Sequence, residues 1–454
     1  MKSLIEPARE TPVADEVDLC VVGGSCTGVF AAVAAARQGL RVALVEHHGF
    51  FGGVATARMV NVWHSLFTED GARQIVAGLS VELMERLKAR DAVMDRGHHP
   101  HYQFAFNSAE LILELDRLVT PHPAIRPFLH SRCVAAALRA PGEIDAIIVE
   151  DIGGRRAIRA RAFIDASGDC ALLRQAGLPV VKSAMLQPPT TAFLLQGHER
   201  LLAANPGLKL HESVFDKKFP EALPPGFCWT AAIPGARDVS CVFGTRVHGA
   251  DCSDPDQLTR AEIEGRRQVR AISELIRHRL AGGRDTAVLA LPACTGIRET
   301  YRGQCQHTLT EDEVLRGRRF GDAVANSSYR VDLHLADRGG NVFRYLDGRE
   351  EIVVPGQPRE HRRWRAEQAE NPTFYQVPYR ALLPLGARNV IAAGRTIGTD
   401  PGAYGATRVM ITCNQTGEAA GLAVALALRG DTTVAEVAPE KLRRLLAETG
   451  SIVA

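Results

Sequence analysis

The run Gly23-Gly24-Ser25-Cys26-Thr27-Gly28 constrains this chain more than any other segment, because of what stands on either side of it. Before it, Asp18-Leu19-Cys20-Val21-Val22 is a short apolar run that can be buried on both faces, the pattern of a central parallel strand. After it, Val29 to Gly39 reads as an alanine-rich helix stopped by glycine, and Leu40 to Val45 as a second strand closed by Glu46. Strand, glycine turn, helix, strand and acid is the order of a dinucleotide-binding βαβ unit. Glycines let the backbone approach a pyrophosphate, the helix N-terminus offers unpaired N–H groups, and Glu46 can accept from a ribose diol. Ser25 replaces the middle glycine of the G-x-G-x-x-G fingerprint, and a small hydroxyl residue still permits that approach. Cofactor contacts are therefore expected from Gly23, Gly24, Ser25, Thr27, Gly28 and Glu46.

At 454 residues the chain has room for two or three domains, or for one large domain with an insertion. A formal net charge of +2 argues against a nucleic-acid-binding surface. Its apolar stretches, such as Val29 to Ala36 and Leu422 to Leu428, are too short to span a bilayer. Met1 to Glu16 does not read as a signal peptide, so a cytoplasmic protein is expected. The 10 cysteines contain no C-x-x-C pair and read as free thiols in a reducing compartment. His98-His99-Pro100-His101 reads as a polar loop rather than a metal site, and no metal is expected. The mixed-charge run from Pro358 to Glu370 reads as a solvated segment.

Directly after Glu46 comes His47-His48-Gly49-Phe50-Phe51-Gly52-Gly53-Val54-Ala55-Thr56, a second glycine pair where nicotinamide enzymes usually proceed to another helix. Further on, Ser131 to Leu138, Ile144 to Asp151 and Arg155 to Ile164 read as a β-meander running into Ile164-Asp165-Ala166-Ser167-Gly168-Asp169. Near the end, Asn389 to Arg395 is a strand ending in Ala393-Gly394-Arg395, followed by Gly398 to Gly405 and a helix expected from about Ala406 to Leu428. Gly417 and Gly421 in that helix are spaced for close packing.

With Arg298-Glu299-Thr300, these segments resemble in order the FAD-dependent oxidoreductase family of the flavoprotein superfamily that includes glutathione reductase and fumarate reductase. The resemblance implies an α/β fold: a Rossmann-like FAD-binding domain of glutathione reductase type with an inserted α+β substrate domain. The expected boundaries are 1–180 and 376–454 for the two parts of the FAD domain and 181–375 for the insertion. It also implies FAD contacts from His47, Gly52, Gly53, Thr56, Val134, Ser167, Gly168, Asp169, Gly394, Arg395 and Gly405. Arg395 and the N-terminus of the last long helix would put positive potential beside flavin N1 and O2.

Within 181–375, Asp254-Pro255 opens a helix to about Leu280 whose apolar face is Leu258, Ile263, Val269, Ile272 and Ile276. Thr310-Glu311-Asp312-Glu313 is a capping box opening another helix toward Asn326. A flavin dehydrogenase needs a group that takes a proton while hydride leaves the substrate, and histidine suits that near neutral pH. His334 is the expected acid/base, with Asp332 on the same strand face to orient it. Arg298 is the second expected catalytic residue, holding a substrate carboxylate or stabilising reduced flavin, against the plainer reading of an ion pair with Glu299 or another acid. His64 is a further residue placed to face substrate or link covalently to flavin. Many relatives carry a polar residue such as His or Glu in the loop after A-G-R; here Thr399-Asp400-Pro401-Gly402 stands there, so a catalytic group on that loop is either absent or replaced by Asp400.

The expected function is an FAD-dependent dehydrogenase or oxidase moving hydride between a small organic substrate and flavin N5, with an unspecified electron acceptor or donor. The alternatives are a flavin monooxygenase fed by an external reductant, since no second nucleotide fingerprint appears, and a non-catalytic FAD-containing assembly component. Apolar helix faces allow a homodimer without specifying one.

Overall fold

The computed structural model describes residues 3–95, 103–335 and 339–454, so the His98, His99 and His101 cluster lies outside the described residues. Strands β1 (Val13–Val22) and β2 (Val42–Val45) flank the helix Cys26–Arg37, as the glycine spacing requires. They join β3 (Ile125–Phe128), β4 (Arg132–Ala140), β5 (Glu143–Asp151) and β6 (Gly154–Asp165) in the order β3-β2-β1-β6-β5-β4, with Val390–Ala392 added along β6. The β1, β2, β3, β6 and Val390–Ala392 pairings are parallel, whereas β4, β5 and β6 form the expected antiparallel meander. Alternate residues of β1 serve two cores. Leu19 and Val21 face the helix layer, while Cys20 and Val22 pack with Ile147, Phe163 and Leu173 on the other side. Each such buried apolar side chain contributes about 1.5–3 kcal/mol, which is why an unbroken apolar run is needed here.

The helix Met410–Gly430 lies on Cys26–Arg37. A Cβ at Gly417 would overlap the Thr27 carbonyl and one at Gly421 the Ala31 carbonyl, so the two backbones touch where only glycine fits. The single helix expected from Ala406 is instead two, Pro401–Thr407 and Met410–Gly430. Val409, at φ −68° and ψ 145°, leaves the helical backbone and turns the chain between them.

A second sheet contains β7 (Phe193–Gln196), β8 (Trp229–Ala232), β9 (Val239–Phe243) and β10 (Ala287–Ala290), antiparallel in the order β8-β9-β7-β10. The helix Pro255–Arg279 covers it through Val269, Ile272 and Ile276, but Ile263 is 60% exposed and does not belong to the apolar face expected of it. The third is a four-stranded meander of β11 (Val331–His334), β12 (Asn341–Arg344), β13 (Arg349–Val353) and β14 (Glu360–Arg363). The capping box at Thr310 forms, yet its helix is only Glu311–Leu315, because the chain turns at Gly317 with φ +62° and continues into the strand Ala323–Ser327. All ten cysteines are free. Among the described residues no helix is long and apolar enough to cross a membrane.

Candidate functional site

Two adjoining cavities open at the C-terminal end of β1. The larger, about 630 Å³, is lined by Gly23, Ser25, Thr27, Glu46, His47, Gly52, Gly53, Val134, Ser167, Gly168, Asp169, Gly394 and Arg395, all residues the sequence singled out. The smaller, about 370 Å³, contains His64, Arg298, Asp332 and His334. Val54, Arg58, Ile297, Arg395, Arg408 and Met410 line both.

The larger cavity fits a dinucleotide. Gly23 has φ +104°, and a Cβ there would press on the Ala166 carbonyl oxygen at 2.5 Å, so the turn needs glycine. Ser25 precedes the helix Cys26–Arg37 without capping it through its side chain, which leaves the helix N–H groups free for a phosphate. Glu46 is buried and accepts from the Gly24 amide at 2.7 Å and the His48 amide at 2.8 Å, with His47 Nδ1 2.9 Å away. Burial pushes its pKa up, but the His47 ring and the two amides outweigh that and hold it below the ordinary Glu value. Each carboxylate oxygen accepts more than one hydrogen bond, so acceptor capacity remains for a ribose hydroxyl.

Four of the expected cofactor residues do not line this cavity. Gly24 serves through its amide on Glu46. Gly28 lets the helix pass the Gly23 carbonyl, which a Cβ would overlap. Thr56 turns its hydroxyl to the Phe51 carbonyl at 2.7 Å, closing the glycine loop on itself. Gly405 is a correction of a different kind: it sits against the Asp332 carbonyl, where a Cβ would lie 2.8 Å away, so it packs the helix Pro401–Thr407 onto β11 rather than meeting a cofactor. Asp400 likewise lines neither cavity. It caps that helix through the Ala403 amide at 2.7 Å and also accepts from the Glu311 amide at 2.9 Å.

Motifs far apart in sequence meet between the cavities. Asp165, fully buried, accepts from the Ser167 amide and hydroxyl and from the Leu173 amide, which fixes the Ser167-Gly168-Asp169 turn. Asp169 accepts from Thr300 Oγ1 at 2.7 Å and Arg395 Nη2 at 3.3 Å, while Arg395 Nη1 donates to the carbonyls of Ile297 and Arg298. Glu299 pairs with Arg302 at 2.5 Å, both side chains being nearly inaccessible, so the alternative of an Arg298–Glu299 ion pair falls away.

The smaller cavity is built from strand ends. The register of β11 on β12 pairs Asp332 with Phe343 and His334 with Asn341, and all four side chains line the space. Across from them Trp229 of β8 stacks on its cross-strand partner Phe243 of β9, ring centroids 4.0 Å apart. His64 lies here, 5.1 Å from the Tyr329 ring, and does not line the larger cavity. Asp332 does not hold His334 directly: its Oδ1 is 3.8 Å from Nε2, since alternate residues of a strand stand about 6–7 Å apart at their backbones. Asn341 stands between them, donating to Asp332 Oδ1 at 2.8 Å and lying 3.4 Å from His334 Nε2. Burial and the positive charges of Arg298, Arg246 and Arg408 push the His334 pKa well below 6.5, so the ring is neutral at pH 7.

Arg246 and Arg408 were missed from the sequence. Arg246 follows the end of β9 and donates to Thr190 Oγ1 at 2.7 Å and to the Thr245 carbonyl at 2.6 Å. Arg408 occupies the break between the two C-terminal helices and reaches Gln187 and Asp332, each at 3.3 Å. No motif marks either residue.

A parallel sheet closing on a glycine-lined dinucleotide cleft, with a second polar cavity sharing its wall, defines a nucleotide-cofactor enzyme of Rossmann-like α/β architecture. Residues 18–446 match the FAD-dependent oxidoreductase family, and the chain belongs to it; the protein is an FAD-dependent oxidoreductase. Mitochondrial dihydrolipoyl dehydrogenase of Schizosaccharomyces pombe is 34% identical over 87 residues, a match covering 17% of each protein. Among solved structures, a geranylgeranyl bacteriochlorophyll reductase-like protein from Thermoplasma acidophilum aligns over 96% of this chain and 83% of its own, with 11% identity and a TM-score of 0.45. The myxobacterial chondrochloren halogenase CndH aligns over 96% and 80%, with 15% identity and a TM-score of 0.45.

Proposed function

We propose that the protein is a dehydrogenase or oxidase that removes hydride from a small organic molecule seated in the 370 Å³ cavity. The observation that carries this reading is the shared wall of Val54, Arg58, Ile297, Arg395, Arg408 and Met410, which sets that cavity directly against the dinucleotide cleft. FAD, when bound, supplies the hydride-accepting centre at N5. His334 takes the substrate proton: it is neutral, buried and faces the cavity, and its 3.4 Å contact with Asn341 is long enough to yield to a substrate hydroxyl. Arg298 positions the substrate, and Arg395 with the N-terminus of Met410–Gly430 supplies positive potential at the junction. Residues 1–180 and 376–454 serve as a glutathione reductase-type FAD domain and 181–375 as its substrate-facing insertion. An outside electron acceptor completes turnover. Ten free cysteines favour a cytoplasmic setting.

The test is a flavin absorbance spectrum, taken before and after acid precipitation, followed by anaerobic substrate screening. Bands released by acid and bleached by a substrate without oxygen support the reading. Turnover that requires both oxygen and a nicotinamide reductant points to a monooxygenase, and flavin that no substrate bleaches points to a non-catalytic role.

A further inference from the structure

Of the arginines that line the smaller cavity, three gather about His334: Arg246, Arg298 and Arg408. Each depresses the proton affinity of His334, and Arg246 and Arg408 do the same to Arg298. Among the residues lining this cavity Asp332 is the one carboxylate, and it is already engaged by Asn341, Tyr329 and Arg408. Arg246 is 5% exposed, and its Nη2 has no hydrogen-bond acceptor; the buried Nε of Arg408 has none either. A guanidinium cannot shed its charge near neutral pH, and even Arg246, pushed down to about 10 by burial, remains charged. Like charges brought together out of water with donors unspent require an anion to offset them. The lining also carries an aromatic group: Trp229 stacks on Phe243, while Phe343, next to Asp332 in the sheet and 6.0 Å from Phe227, has a fourth guanidinium, Arg330, over its face at 4.0 Å.

Building on the proposed function, we propose that the substrate is a small organic acid whose carboxylate docks among Arg246, Arg298 and Arg408 while its apolar body rests on Trp229 and Phe243. The planar guanidinium fork matches a carboxylate with two parallel hydrogen bonds. The aromatic group favours an organic anion over a bare inorganic one. Docking the anion also offsets the positive field at His334, so binding and proton uptake support each other.

Calorimetric titration of the FAD-loaded protein with acetate, benzoate and phenylacetate, and with their uncharged amides, tests this. At least one acid is expected to bind about tenfold or more tightly than its amide, the margin that hydrogen bonds to a charged group provide. Arg246→Gln and Arg298→Gln should each erase that margin while leaving amide affinity unchanged, and Trp229→Ala should weaken phenylacetate more than acetate. The proposal is overturned if every amide matches its acid, if none of the acids binds, if the margin survives in both arginine variants, or if inorganic phosphate binds more tightly than all three acids. Should a variant fail to fold, the acid–amide comparison on the unaltered protein still decides. Loss of the oxidoreductase reading shows separately, as flavin that no substrate bleaches, because the acid–amide margin is read as heat and needs no turnover.

Discussion

Arg246 directs its Nε toward Nδ1 of His334 across 3.4 Å, so the imidazole is backed by a cation and not by the carboxylate two residues before it. An aspartate behind a histidine raises its proton affinity, whereas an arginine lowers it. Besides Arg246, the ring feels Arg298 and Arg408 as positive neighbours, with Asn341 at its other nitrogen. His334 is therefore a weak base that stays in its base form to low pH.

The pH profile follows from that sign. A histidine with a depressed pKa is ready to accept a proton at any pH above that value, so the acid limb of kcat/KM should lie below pH 6.5. Arg246→Met removes one of the positive charges and should move the limb upward. A limb above 6.5 in the unaltered enzyme counts against His334. Replacing His334 by Asn should lower kcat by about 10²–10⁴-fold with flavin content unchanged.

Glu46 organises its part of the cleft through the Gly24 and His48 amides. Glu46→Ala should leave those two amides without their partner and weaken FAD binding by about tenfold or more, read by flavin fluorescence on dilution. Normal FAD retention by Glu46→Arg would contradict the assignment of the cleft.

Gly421→Ala tests the helix contact behind the cofactor. Its Cβ would overlap the Ala31 carbonyl, so Cys26–Arg37 and Met410–Gly430 must separate. Overpacking of this kind typically costs about 1–3 kcal/mol, to be read as a lower melting temperature.

Asp400→Ala separates capping from catalysis. Losing a helix cap costs about 0.5–2 kcal/mol, and this carboxylate also holds the Glu311 amide. Melting temperature should fall while kcat per bound flavin stays near the original. A loss of kcat beyond about 10²-fold at full flavin occupancy would restore the catalytic reading of Asp400.

The sequence made the nucleotide half of the site legible because its signals are local. Gly23 to Gly28 lie between an apolar run and a helix, and Glu46 ends the next strand, so spacing alone identifies the turn. The substrate half depends on contacts that cross the chain. Asp332 and His334 share a face as strand alternation requires, yet the side chain between them is Asn341, contributed by β12 through pairing that no local pattern encodes. Arg408 was hidden for a different reason: a stretch with helical spacing reads as one helix, whereas the chain breaks at Val409 and the Arg408 side chain beside the break reaches Gln187 and Asp332, far off in sequence. Gly405 and Asp400 sit in a glycine-rich segment next to Gly394 and Arg395 of the cleft, yet neither lines it, because sequence proximity does not fix which way a turn faces.

The break at Arg408 and Val409 also ties the two cavities thermodynamically. Arg408 borders both, at the start of the helix Met410–Gly430 whose positive end faces the cleft. A ligand that neutralises Arg408 from the smaller cavity removes positive potential from the larger one. Linkage is reciprocal, so whatever free energy the ligand withdraws from the more negative redox state of the cofactor, that redox state withdraws from the ligand. Product that remains anionic would then leave more readily once the cofactor has taken up charge, and release would be driven by the same residue that secured binding.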